Sequence, residues 1–113
     1  MLPCRRLKIA GTTYRLRYFT RKEVRSISDR WGDCHSDDKL IRMHPNLKGK
    51  PEMFLNTMIH EILHAIWDQM VIADHNDEER DVTCVANGIA GVILDNPKLG
   101  PWIVAMSEIA RKL

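Results

Sequence analysis

No apolar run in this chain approaches the ~20 residues that span a bilayer. The first residues lack the apolar core of a signal peptide. A soluble protein is therefore expected. Cysteine is scarce: Cys4, Cys34 and Cys84 make an odd count of three, which argues against a disulfide framework and for a reducing cytoplasm. No C-x-x-C spacing occurs, so Cys34-His35 reads as a half-buried thiol beside a turn rather than as a metal-binding corner. Internal repeats, linkers and low-complexity segments are missing as well. The 113 residues read as one domain, 1–113, large enough for a single modest core. Basic and aromatic residues do not alternate as a nucleic-acid module requires, and no such motif is present.

Charge is present but unevenly spread. Residues 1–50 hold 13 Lys/Arg against 5 Asp/Glu, a net +8, while residues 51–113 hold 4 against 10, a net −6. The basic half would suit nucleic acid or an acidic protein. The favoured reading is a sheet whose solvent face is rich in Arg and Lys, with nucleic acid the less favoured partner.

The most informative stretch is His60-Glu61-Ile62-Leu63-His64, an H-E-x-x-H pattern within a helical periodicity. Apolar residues at Phe54, Leu55, Met58, Ile59, Ile62, Leu63, Ile66, Trp67, Met70 and Val71 form the stripe of a core-facing helix. His60, Glu61, His64 and Asp68 fall off that stripe. Residues four apart on a helix share a face, so His60 and His64 can aim two imidazoles at one metal ion. Glu61 beside them can take a proton from water there. The bland alternative is a solvated polar face that carries two histidines.

A zinc site of this type needs a third protein ligand. Downstream candidates are Asp74, His75, Asp77, Glu78, Glu79 and Asp81. Glu79 would open a second helix whose expected buried stripe is Val82, Val85, Ala86, Ile89, Ala90 and Ile93. His75 would be delivered by a polar loop. Glu79 is favoured because rigid elements hold ligands better than loops. His75 stays as the alternative.

Arg30-Trp31-Gly32, Cys34, Lys39-Leu40-Ile41-Arg42, Leu47, Pro51 and the H-E-x-x-H helix together resemble small gluzincin-type zinc metallopeptidases. The Trp-Gly-x-Cys segment and the strand after it are similar to YgjP-like and SprT-like metallopeptidases. Glu78-Glu79, Val85-Ala86-Asn87-Gly88-Ile89 and Asp95-Asn96-Pro97 look closer to ImmA/IrrE-type enzymes and to short H-E-x-x-H proteins common in phage genomes. The resemblance spans residues 29–97. It implies metal ligands at His60, His64 and Glu79, a general base at Glu61, and a host cytoplasm if the chain is phage-encoded. It also makes Lys39–Met43 a candidate sheet edge for an extended substrate, with an ordinary core strand an equal alternative.

Organisation follows from pattern. Arg5–Ala10 and Thr13–Phe19 alternate around Gly11 as a β-hairpin. A short helical turn over Arg21–Ser28 is capped by Thr20, with Glu23 three residues on. Arg30–Cys34 and Lys39–Met43 form a second hairpin around Ser36-Asp37-Asp38, and His44–Lys50 is a loop. Helices are expected at about 52–72, 78–95 and 101–112. Gly88 and Gly91 would let the second of these approach a neighbour closely, and Asn96-Pro97 ends it.

The expected fold is α+β and zincin-like: a small antiparallel or mixed sheet packed on the H-E-x-x-H helix, with two further helices. The expected function is zinc-dependent hydrolysis of peptide or protein substrates, with Glu61 as base. Asp68 is a candidate to hold His64 through its far N–H, and Tyr14, Tyr18 and Arg42 are candidate oxyanion stabilisers. The alternative is a metal-binding regulatory module that grips a protein or DNA without catalysis. A metal-free structural relic is a third possibility. No membrane partner is expected.

Overall fold

The computed structural model describes residues 2–27, 29–70 and 78–113, with the backbone alone for 78–80, 82, 83 and 86. The calls on Ser28, Val71, Ile72, Asp74, His75 and Asp77, and those on the side chains of Glu78, Glu79, Val82 and Ala86, fall outside the described parts.

The chain is α+β. Strand β1 (Arg6–Ile9) turns back into β2 (Thr12–Tyr18). The two turn residues, Ala10 and Gly11, have φ of 49° and 80°, the mirror-image turn that matches the twist of paired strands. Helix α1 (Arg21–Ser26) follows. Its capping box is complete: Thr20 Oγ1 accepts from the Glu23 N–H, and the Glu23 carboxylate accepts from the Thr20 N–H. Strands β3 (Gly32–His35) and β4 (Leu40–Met43) form the second hairpin. A 3-10 turn over Pro45–Gly49, capped by the His44 imidazole, occupies what the sequence suggested was plain loop. Helices α2 (Pro51–Met70), α3 (Glu78–Asp95) and α4 (Leu99–Arg111) complete the order. Among the described residues, no helix is long and apolar enough to cross a membrane.

The sheet is mixed, with strand order β1-β2-β4-β3. Both hairpins are antiparallel, and β2 pairs with β4 in parallel through Leu16↔Ile41 and Tyr18↔Met43. Alternation puts Leu7, Ile9, Tyr14, Leu16, Ile41 and Met43 on one face, where they join Phe54, Met58, Ile62, Ala65 and Ile66 of α2 and Leu99, Trp102 and Met106 of α4 in a single core. Arg6, Lys8, Arg15, Arg17, Asp33 and Arg42 take the other face.

Three expectations are corrected. Residues Lys39–Met43 are not the sheet edge: β4 lies between β2 and β3, and β3 is the edge. Local pattern carries no information about which strand gains a second neighbour. The buried face of α2 is rotated from the expected stripe. Glu61 is inside at 5% exposure, whereas Ile59 and Trp67 are 43% and 40% exposed, because the helix turns its Glu61 side to Gly32 of β3. The α3 stripe is rotated too. Gly88 and Val92 are buried, while Ile89, Ala90 and Ile93 are exposed. A Cβ on Gly88 would lie 2.6 Å from Ile66 Cγ2, so the bare glycine, not the isoleucines, marks the contact line. A Cβ on Gly91 would meet nothing within 4 Å among the described residues, so Gly91 takes no part in that contact.

The two sheet edges differ. On β1, the Lys8 N–H donates to Asn96 Oδ1 and Asn96 Nδ2 donates to the Lys8 carbonyl, both at 2.9 Å. A second donation from Nδ2 reaches the Val92 carbonyl at 2.7 Å. The side-chain amide thus pairs with β1 as another strand would. On β3, the His44 N–H donates to the Trp31 carbonyl at 2.8 Å. By antiparallel alternation, Asp33 and His35 then face β4 with their backbone groups, and Gly32 and Cys34 turn theirs to the open side.

Candidate active site

Helix α2 carries the H-E-x-x-H residues in mid-helix, which fixes their directions. His60 and His64, one turn apart, bring their Nε2 atoms to 3.1 Å, with ring centroids 4.7 Å apart and an interplanar angle of 75°. Two zinc-bound imidazole nitrogens at tetrahedral angles would stand about 3.3 Å apart, given Zn–N bonds of ~2.05 Å. The pair therefore already has the bite of a two-histidine chelate. The rings open onto a hollow of about 270 Å³ that they line with Leu63 and Trp67.

Glu61 lies on the sheet side of the pair, against Gly32 and within reach of the charges of His60 and His64. Burial pushes its carboxyl up from the usual 4.5, against the opposing pull of His60 and then His64. Among the described residues no donor hydrogen-bonds that carboxylate, and it borders a cleft of about 390 Å³ lined also by Trp31, Gly32, Met53, Thr57 and His60. A buried carboxylate without a fixed donor, raised in pKa and open to a cleft, is suited to accepting and returning a proton.

Gly32 makes this proximity possible. A Cβ there would lie 2.9 Å from Thr57 Cγ2 and 3.4 Å from Glu61 Cγ. Gly32, whose backbone groups face away from β4, lines the Glu61 cleft. Cys34 faces the same side. Its thiol is pushed up to about 12 by burial, then by the charges of Asp68, Glu61 and Asp33, so it stays protonated and inert. All three cysteines are free.

Other expected participants are not brought together. Asp68 is exposed and makes no hydrogen bond to His64 among the described residues. The Tyr14 hydroxyl accepts from Gln69 Nε2 at 2.8 Å, inside the core. Tyr18 packs on Phe54 with Lys48 over its ring. Arg42 lies on the opposite sheet face, held by Glu23 and by both oxygens of Asp33. The Tyr14 hydroxyl and the Arg42 guanidinium are thus engaged with partners other than His60, Glu61 and His64. Among the described residues no group of three His, Cys, Asp or Glu is poised for a metal. Of the two proposed third ligands, Glu79 has its backbone in the first turn of α3 and His75 lies outside the described residues. The sequence reading missed Gly32 as the contact that seats Glu61, although the Trp31-Gly32 pair had marked the place. It also missed Asn96 as an edge cap, for which a helix-ending Asn-Pro gives no signal.

Compared with protein-family models, with curated proteins and with solved structures, the chain gives no match.

Proposed function

We propose that this chain is a zinc-dependent peptidase with a zincin-like site. His60 and His64 hold the ion, Glu79 is the third ligand with His75 as the alternative, and Glu61 is the general base. The observation that carries this reading is the placement of Glu61: a buried carboxylate beside two converging imidazoles and the outermost strand of the sheet. Imidazole donors at this separation fit zinc. A zinc ion held there supplies Lewis acidity, which polarises a carbonyl and acidifies water.

The chain's own residues account for the remaining roles. An extended peptide adds to β3, exchanging main-chain hydrogen bonds with Gly32 and Cys34. That pairing lays its carbonyls past Glu61 while Asn96 keeps the far edge occupied. Glu61 takes a proton from the attacking water on its carboxylate and returns it to the departing amine. Its desolvated setting brings its proton affinity closer to that of the groups it serves.

Glu61→Gln tests the assignment. The variant is expected to bind metal at the wild-type ratio, by elemental analysis, and to lose hydrolysis of unfolded-protein and peptide mixtures that is chelator-sensitive in the wild type. Undiminished hydrolysis with metal still bound would falsify the role of Glu61.

A further inference from the structure

The side of the sheet away from α2 and α4 carries a charge arrangement that the peptidase reading does not use. Arg6 and Arg15 are register partners on β1 and β2. The Leu16 N–H donates to the Arg5 carbonyl, so Arg6↔Arg15 is the close, non-hydrogen-bonded kind of pair, with Cα atoms about 4.5 Å apart. Like charges directly opposite one another destabilise a sheet. Lys8 lies on the same face one pleat along. Among the described residues none of these three cations has an ion-pair partner. The acids on this face are already taken: Glu23 by Arg17 and Arg42, and Asp33 by Arg42.

We propose that this outer face binds the phosphate backbone of duplex nucleic acid. Charge complementarity requires an anionic occupant. Guanidinium forks suit phosphate oxygens, and a bridging phosphate between Arg6 and Arg15 turns their repulsion into shared attraction. A protein partner would need an apolar anchor. The one apolar residue at an outward strand position, Leu40, is itself buried at 7% exposure. The one ring at an outward strand position, the His35 imidazole, is engaged by Arg42 and Asp33 instead of standing free to stack on unpaired bases. That favours the higher charge density of a duplex over a single strand.

The test is fluorescence anisotropy of a labelled duplex with the full chain, with or without metal, so its outcome is separate from that of the peptidase reading. Binding is expected at about 50 mM salt, and log K should fall against log salt with a slope near −3, about −0.9 for each phosphate neutralised. Arg6→Glu and Arg15→Glu should each weaken binding and flatten the slope by about one or more. Both should raise the melting temperature, since each replaces a like-charge pair by an opposite one. Arg111→Glu, at the exposed end of α4, should leave the slope unchanged. Polyglutamate of matched charge should not displace the duplex. No binding at low salt, equal displacement by polyglutamate, or an equal loss with Arg111→Glu would each overturn the proposal.

Discussion

Gly32 meets Thr57 with no room for a methyl group between them. A Cβ on the glycine would lie 2.9 Å from Thr57 Cγ2 and 3.0 Å from the Arg42 carbonyl oxygen. One of those neighbours is backbone and cannot swing aside. Gly32→Ala should therefore push β3 away from α2 and cost about 1–3 kcal/mol, the usual range for overpacking. Denaturant unfolding measures the loss. Thr57→Ser in the same chain should restore only part of it, since the clash with the carbonyl remains. Hydrolysis should fall further than stability does, because the displaced strand borders Glu61. Wild-type stability in Gly32→Ala would mean the contact is looser than described.

The third ligand is the part of the proposed metal site that separates a helix-borne from a loop-borne arrangement. His60→Ala and His64→Ala should each lose bound zinc. Glu79→Ala should lose it as well, with His75→Ala near full stoichiometry. Elemental analysis of the four purified variants decides this. The reverse order for Glu79 and His75 would move the ligand into the loop.

Much of this architecture was legible in the sequence, because it is local. Alternation around Gly11 gave the first hairpin, the Thr20–Glu23 spacing gave a capping box, and helical periodicity with Pro51 and Asn96-Pro97 bounded α2 and α3. What local pattern cannot encode is who sits beside whom. The parallel pairing of β2 with β4 buries β4 and leaves β3 at the edge, and nothing within Lys39–Met43 records that. The same limit rotated both helix faces. Apolar content nominated Ile59, Trp67, Ile89 and Ile93, whereas close approach through Gly32 and Gly88 chose Glu61 and Val92 for burial instead.

The two α3 glycines should respond to alanine with opposite signs. Gly91→Ala meets nothing within 4 Å among the described residues and should gain about 1 kcal/mol from helix propensity. Gly88→Ala gains the same propensity but drives a Cβ to 2.6 Å from Ile66 Cγ2, on a branch fixed to the neighbouring backbone, and should be net destabilising. Thermal unfolding of both variants checks the pair. Equal shifts would show that α3 does not press on α2 at this point.

Acid should weaken the fold through Glu23. Its carboxyl is held far below the usual 4.5, first by the hydrogen bonds from Arg17 and next by the Thr20 backbone N–H, with Arg42 adding to both. A depressed carboxylate contributes stability that is complete above the ordinary glutamate value and lost as pH falls through the lowered one. Arg17 is 38% exposed, so solvent screening limits the contribution to about 1 kcal/mol. Glu23→Gln should be less stable than wild type at neutral pH and converge with it on acidification below about pH 4. Urea midpoints across that range measure the convergence.

Asn96→Ala removes an amide that makes three hydrogen bonds to the backbone of Lys8 and Val92 and should cost about 2–3 kcal/mol. Asn96→Asp should fare no better, because a carboxylate has no N–H to offer the two carbonyls.

That amide has a consequence for how copies of this chain can meet. A sheet with two exposed borders can recruit neighbours indefinitely, whereas here one border is already spoken for by a side chain. Two molecules joined along their remaining borders would each present a far flank already paired at Lys8, which disfavours further accretion there. The asparagine thereby blocks strand addition at Lys8, on the border opposite β3.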